Sequence, residues 1–175
     1  MIGSQCTRDP LAPDWTDRRT AADGGLLVFR VVFAGLFLYH GIWHYQKGMD
    51  WFAGFMRFVR VPAPTLTAYA VTTFEIVAGL CLIVGLLTRV WGALGVSMML
   101  VTGFYVKISE LHVGLLAPTG VSAAETDFLF LSGFLVLLAI GAGRYSLDHA
   151  LGTDSRLTKL VRRRPRVRRL TSPVE

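Results

Sequence analysis

The sequence has little charge and little cysteine, and each shortage excludes a class of protein. Only 17% of its 175 residues are charged and 53% are hydrophobic, so the chain is too apolar for a typical soluble domain. Its two cysteines, Cys6 in a polar segment and Cys81 in a hydrophobic run, exclude a disulfide framework. The sequence contains no CxxC pair, so we expect no dithiol redox site. It also contains no recognisable flavin or nucleotide motif.

Four hydrophobic runs account for this composition, at residues 25–45, 66–87, 90–106 and 127–142. As a helix, the first run would cover about 31 Å, which is the thickness of the hydrocarbon core of a bilayer. The sequence therefore predicts an all-α membrane protein, with a four-helix transmembrane bundle over residues 25–148.

Most of the basic residues fall on the side of the membrane that would hold both termini. By the positive-inside rule this side is the cytoplasm. We therefore predict a multi-pass protein of the cytoplasmic (inner) membrane, with both termini cytoplasmic. Residues 1–24 have no signal-peptide pattern and are predicted to be a disordered cytoplasmic arm. Residues 149–175 are predicted to be a basic cytoplasmic tail.

The predicted tail holds all of the excess positive charge. From residue 151 onward it has eight basic and two acidic residues, a difference of +6 that equals the net charge of the whole chain. Attraction to anionic inner-leaflet lipids explains this charge, at about 1 kcal/mol per basic residue. Nucleic-acid binding is not expected, because the tail has no aromatic residue for base stacking. The predicted lipid contacts are Arg162, Arg163, Arg164, Arg166, Arg168 and Arg169.

Residues 49–60, between the first two runs, are too few and too charged to cross a membrane. One apolar face at helical spacing predicts an amphipathic helix in the outer interface, formed by Trp51, Phe52, Phe55, Phe58 and Val59. Aromatic side chains at this depth are typical of membrane anchors. A lid over a cavity is the alternative interpretation.

Polar residues inside the first two runs predict a buried polar site. Arg30 and His40 lie on one face of the first helix, and a carboxylate such as Glu75 needs a partner within a bilayer. Measured from the cytoplasmic ends, Glu75 lies about 18 Å along its helix, His40 about 22 Å and Arg30 about 8 Å. We predict one buried network of these three residues. It could serve a proton or a substrate, or it could only fix the helix register.

Further titratable residues predict an outer mouth to this network, at His44, Lys47, Glu110, His112 and Glu125. A transition metal could use His44, His112 and a carboxylate, but their spacing matches no compact ligand motif, so no metal site is predicted. A bis-histidine haem is also disfavoured, because His40 and His44 lie on one helix and cannot reach opposite faces of a porphyrin.

These motifs, taken in order, resemble the DoxX family of small four-span bacterial membrane proteins over residues 26–148. The similarity is carried by Arg30, FLYHG at 37–41, EIVAG at 75–79, GLLTR at 85–89, His112, Glu125 and GAGRYSLD at 141–148. The family commonly has lysine three residues after the His-Gly pair, where this chain has His44. That difference replaces a permanent cation by a titratable side chain.

The resemblance implies a role in membrane redox chemistry. Family members are associated with a thiosulfate:quinone oxidoreductase and with a mycobacterial assembly of a sulfurtransferase and a superoxide dismutase. It therefore implies an integral subunit of a quinone-linked oxidoreductase complex, with a redox protein partner, a bound quinone and no other cofactor within the chain. The alternative is a non-enzymatic carrier or scaffold that moves a proton or small solute.

Overall fold

The computed structural model describes residues 15–112 and 124–153. Residues 1–14 of the predicted arm and the predicted lipid contacts of the tail lie outside these ranges. The described residues form helices and no strand. The helices are α1 (Trp15–Lys47), α2 (Met49–Phe58), α3 (Pro64–Val84), α4 (Thr88–Leu100), a π-helical segment (Val101–Glu110) that continues α4, α5 (Glu125–Ile140) and α6 (Leu147–Leu151).

Three of these helical stretches are long and apolar enough to cross a membrane. They are Arg19–Lys47 within α1, Pro64–Val84, and Thr88–Glu110, which joins α4 to the π-helical segment. The fourth, α5, has 16 residues. The predicted all-α membrane bundle is therefore confirmed.

Helix α1 begins at Trp15, well before the predicted span. Residues 15–24, which the sequence assigns to a disordered arm, are therefore helical. The physical reason is that extending an existing helix costs little compared with nucleating one, and no proline interrupts the chain between Trp15 and the span.

The bundle is built from two tight helix pairs, in which α1 packs along α3 and α4 packs along α5. Aromatic rings fill the space between the pairs, with the rings of Phe33 and Phe37 each 5.0 Å from that of Phe134. Glycine allows the close approach of α1 and α3. A Cβ atom added to Gly79 would lie 2.7 Å from the Cβ atom of Leu38, which is closer than carbon atoms normally pack.

Helix α2 forms within the segment where an amphipathic helix is predicted, but its apolar residues do not share one environment. Phe52 and Met56 are buried and pack with Ala68 at the start of α3. Trp51 and Phe58 are instead 51% and 74% exposed. The predicted amphipathic helix is therefore present, and its apolar face is divided between the end of the bundle and the outside.

Candidate functional site

The contact between α1 and α3 brings together a histidine and a carboxylate. His40 Nδ1 lies 3.1 Å from Glu75 Oε1, which is a hydrogen-bonding distance. The Glu75 side chain is only 2% exposed, whereas that of His40 is 47% exposed. A Cβ atom added to Gly41 would lie 2.8 Å from the Cβ atom of Glu75. The missing side chain at Gly41 therefore allows the two helices to approach at the level of this pair.

One turn after His40, the structure adds a second histidine to the pair. His44 Nε2 lies 4.0 Å from Glu75 Oε2, and His44 is 7% exposed. His44 Nδ1 and Glu75 Oε2 are buried and have no hydrogen-bond partner. The sequence places His44 at an outer mouth, but the structure places it inside. We refer to His40, His44 and Glu75 as the histidine–glutamate cluster.

Helix α2 covers one side of this cluster. The ring of Phe52 stacks on that of His44, with 3.9 Å between centroids and 24° between planes. The rings of His40 and His44 lie 4.7 Å apart, nearly perpendicular to each other. Phe52 therefore shields His44, while Trp51, on the same helix, is exposed.

The other side of the cluster opens on the apolar surface of the bundle. One turn before His40, Leu36 is 59% exposed, and the adjacent Tyr39 is 63% exposed. The ring of Trp43 lies 6.3 Å from that of His40 and nearly parallel to it, and the ring of Phe130 lies 6.4 Å away. A flat molecule dissolved in the membrane could therefore reach His40 without entering the bundle.

Arg30 lies apart from the cluster, contrary to the prediction of a single network. The guanidinium donates hydrogen bonds to the carbonyl oxygens of Ala142 and, at 2.6 Å, Tyr145. Ten residues of helix, or about 15 Å, separate Arg30 from His40. Helical periodicity correctly places both residues on one face of α1, but they meet different neighbours at different depths.

Arg30 belongs instead to a junction of helix ends formed by residues 85–89 and 141–148. The Asp148 carboxylate accepts hydrogen bonds from the backbone amides of Leu87 and Thr88, both at 2.8 Å, and from the Thr153 hydroxyl at 2.6 Å. Burial alone would raise the pKa of Asp148, but these hydrogen bonds outweigh it and hold the pKa below the ordinary value. Two of the motifs that carry the family resemblance therefore stabilise the start of α4.

Arg89 completes this helix-end junction at α5. Its guanidinium donates hydrogen bonds to the carbonyl oxygens of Leu138 at 2.8 Å and Ile140 at 3.3 Å. These carbonyls belong to the last turn of α5 and have no partner within the helix. A pocket of about 280 Å³ opens beside the junction and is lined by Asp23, Arg144 and other residues.

The other residues of the predicted outer mouth do not join the cluster in the described part of the chain. The Lys47 ammonium lies over the ring of Trp43, 5.6 Å from its centroid. His112 Nδ1 lies 3.3 Å from the carbonyl oxygen of Glu110. Glu125 is exposed at the start of α5.

The structure contains an ion pair between the π-helical segment and α5 that is not predicted from the sequence. Lys107 Nζ lies 2.7 Å from Asp127 Oδ2, and their side chains are 15% and 12% exposed. Lys107 follows the hydrophobic run at residues 90–106, so hydropathy gives no reason to expect it within a helix. The opposite charges near the ends of two successive runs were the available signal.

Comparisons with known proteins show which family the chain resembles. The family model described as DoxX matches residues 25–108. The chain is 32% identical over 147 residues to an uncharacterized membrane protein, Rv3486, of Mycobacterium tuberculosis, over 80% of this chain and 90% of that protein. It is 28% identical over 124 residues to the "Putative oxidoreductase CatD" of Bacillus subtilis, over 71% of this chain and 84% of that protein. No solved structure matches the chain.

Proposed function

The chain belongs to the DoxX family of membrane proteins, and we propose on that basis that it is the integral subunit of an oxidoreductase complex that works with a membrane-soluble quinone. One observation carries the proposal: an imidazole that is 47% exposed on the apolar surface is hydrogen-bonded to a buried carboxylate. The name of the Bacillus subtilis relative supports the redox class.

The residues around His40 fit the chemical demands of a quinone. A quinone head group is flat and apolar, and its carbonyl oxygens accept hydrogen bonds. The His40 ring turns Nδ1 toward Glu75. In the imidazolium form both ring nitrogens are donors, so Nδ1–H can bond the Glu75 carboxylate while Nε2–H, on the opposite edge, donates to a quinone carbonyl oxygen. Trp43 and Phe130 supply aromatic surfaces beside the His40 ring. When bound, a quinone would supply the electron-accepting chemistry, which no side chain of this cluster can provide.

In this proposal Glu75 is a positioning residue for His40. Its carboxylate fixes the orientation of the imidazole through Nδ1, and the close packing at Gly41 keeps α1 and α3 at the required separation. Phe52 shields the cluster on the side of α2. The electron donor is expected on a partner protein, because the sequence holds no recognisable flavin or nucleotide motif.

Quinone content tests the proposal. The protein is purified from membranes in mild detergent, and bound quinone is extracted and quantified per chain. His40→Phe should lower the quinone content roughly fivefold, the effect of losing about one hydrogen bond. Tyr69→Phe, at an exposed position on α3 away from this opening, should leave it unchanged. Quinone-free wild-type protein, or equal content in His40→Phe, would refute the proposal and favour a carrier or scaffold.

A further inference from the structure

The cluster brings together three side chains with metal-binding chemistry. His40, His44 and Glu75 each offer one ligand atom, and these three atoms all lie within 4.8 Å of one another. The spacing of His44 and His112 in the sequence predicts no metal site. In the structure the second histidine beside His44 is His40, and Glu75 on α3 provides the carboxylate. We propose that the histidine–glutamate cluster binds one divalent transition-metal ion of the zinc or iron type.

The ligand types and their spacing support this proposal. His40 and His44 are four residues apart on a helix, and this spacing places two imidazoles on one side of a metal ion. Two histidines and one carboxylate form known zinc sites, and the same set forms iron(II) sites with open positions. The chain has Gly41 where a zinc protease helix has its catalytic glutamate. The motif therefore supplies the histidine ligands without the base for peptide hydrolysis.

The unsatisfied atoms of the cluster are a second, independent observation. Glu75 Oε2 has no hydrogen-bond partner, although Glu75 is 2% exposed. It lies 4.0 Å from His44 Nε2, too far for a hydrogen bond. An unpaired carboxylate oxygen is costly inside a membrane protein. A cation between these atoms would satisfy the carboxylate and the imidazole together.

The adjustment needed for binding is small. Zinc binds histidine nitrogen and carboxylate oxygen at about 2.0–2.2 Å, so ligand atoms around one ion lie roughly 3.3 Å apart. The largest separation in the cluster, within 4.8 Å, must therefore shorten by at most about 1.5 Å. Rotation of the partly exposed His40 side chain can shorten its own distance to His44. The 4.0 Å between His44 Nε2 and Glu75 Oε2 must shorten by roughly 0.7 Å, which rotation of the Glu75 carboxylate can supply. Three protein ligands would leave a further coordination position open.

The test uses the full chain with an affinity tag that contains no histidine. Zinc and iron are measured per chain after purification, and binding is then titrated on chelator-treated protein with Zn²⁺, Fe²⁺ and Co²⁺ as probes. Wild-type protein should hold close to one ion per chain. His44→Gln and Glu75→Gln should weaken binding by more than about 100-fold, since loss of an outer-shell partner alone costs 10–100-fold.

The chain provides its own controls, because its other two histidines, His112 and His149, lie outside the cluster. His112→Ala and His149→Ala should bind as wild type does. If the cluster variants fail to fold, the wild-type protein decides the question, because a bound ion must raise its unfolding temperature. Wild-type protein that contains no metal and does not respond to the three probes would overturn the proposal. Equal losses in the control variants would also overturn it.

Metal content and quinone content are measured on the same samples, so each proposal can be refuted independently of the other. Metal without quinone would refute only the proposed function, and quinone without metal would refute only this inference. The two proposals are compatible, because an ion bound to His40 Nδ1 and Glu75 would take the place of the hydrogen bond between them. It would still hold the imidazole in position and leave Nε2–H on the outer edge of the ring.

Discussion

Gly41 sets the distance between α1 and α3 at the level of the cluster, so Gly41→Ala should disturb both the fold and the site. The added Cβ would lie 2.8 Å from the Cβ atom of Glu75, 3.0 Å from Cγ1 of Ile76 and 3.2 Å from the Ile76 backbone nitrogen. Carbon atoms normally pack at about 3.5–4.0 Å. The two helices must therefore separate by roughly 1 Å, and the contact between His40 and Glu75 must lengthen.

The expected loss of stability follows from two opposing terms. Overpacking of this size costs about 1–3 kcal/mol, whereas replacing glycine by alanine within a helix gains about 0.5–1 kcal/mol. Gly41→Ala should therefore lower the free energy of unfolding by about 1–2 kcal/mol and the unfolding temperature by roughly 2–8 °C. Thermal unfolding in detergent, followed by circular dichroism, measures the change.

Gly35 provides a matched control on the same helix. A Cβ atom added there would meet nothing within 4 Å, so Gly35→Ala should gain only the helix-propensity term of about 0.5–1 kcal/mol. An equal gain in Gly41→Ala would refute the claim that Gly41 is required for the close approach of the two helices.

Three further predictions concern the rest of the molecule. Because Asp148 has a lowered pKa, its contribution to stability is present above the ordinary value of 3.8 and is lost as pH falls through the pKa of the folded state. Asp148→Asn should therefore lower stability at neutral pH and remove this loss in acid. Unfolding temperatures measured from pH 3 to pH 7 would show both effects. Phe52→Ala should destabilise the protein by about 3 kcal/mol and expose His44. A histidine reagent should then modify His44 faster than in the wild-type protein, and an unchanged rate would contradict the prediction. Lys107→Met should lower the free energy of unfolding by about 3–5 kcal/mol, because it leaves the Asp127 carboxylate unpaired. The double variant Lys107→Met with Asp127→Leu should recover most of that loss, because no unpaired charge remains. Unfolding of both variants in detergent measures the difference.

Hydropathy predicted the helices well because a membrane span depends on length and composition. The pairing of His40 with Glu75 could be predicted for a related reason, since the helix rise gives the depth of each residue. Arg30 was assigned wrongly because its partners are backbone carbonyls beyond the end of α5, and side-chain patterns carry no information about carbonyl groups.

The position of His44 could not be predicted for a different reason. Whether His44 faces a mouth or an interior depends on where Phe52 packs, and the sequence contains no signal for that tertiary contact. The missed pair of Lys107 and Asp127 depends on the continuation of α4 as a π-helical segment. Propensity patterns assume a period of 3.6 residues and do not predict such a segment.

Photolabelling with an azido-quinone, followed by mass spectrometry of the labelled peptides, tests the central claim most directly. The claim is that the quinone binds at the exposed edge of the histidine–glutamate cluster. The account predicts labels on α1 near His40 and Trp43 or on α5 near Phe130, and competition by unlabelled quinone should remove them. Competed labels confined to the pocket beside the helix-end junction, near Asp23 and Arg144, would contradict the account.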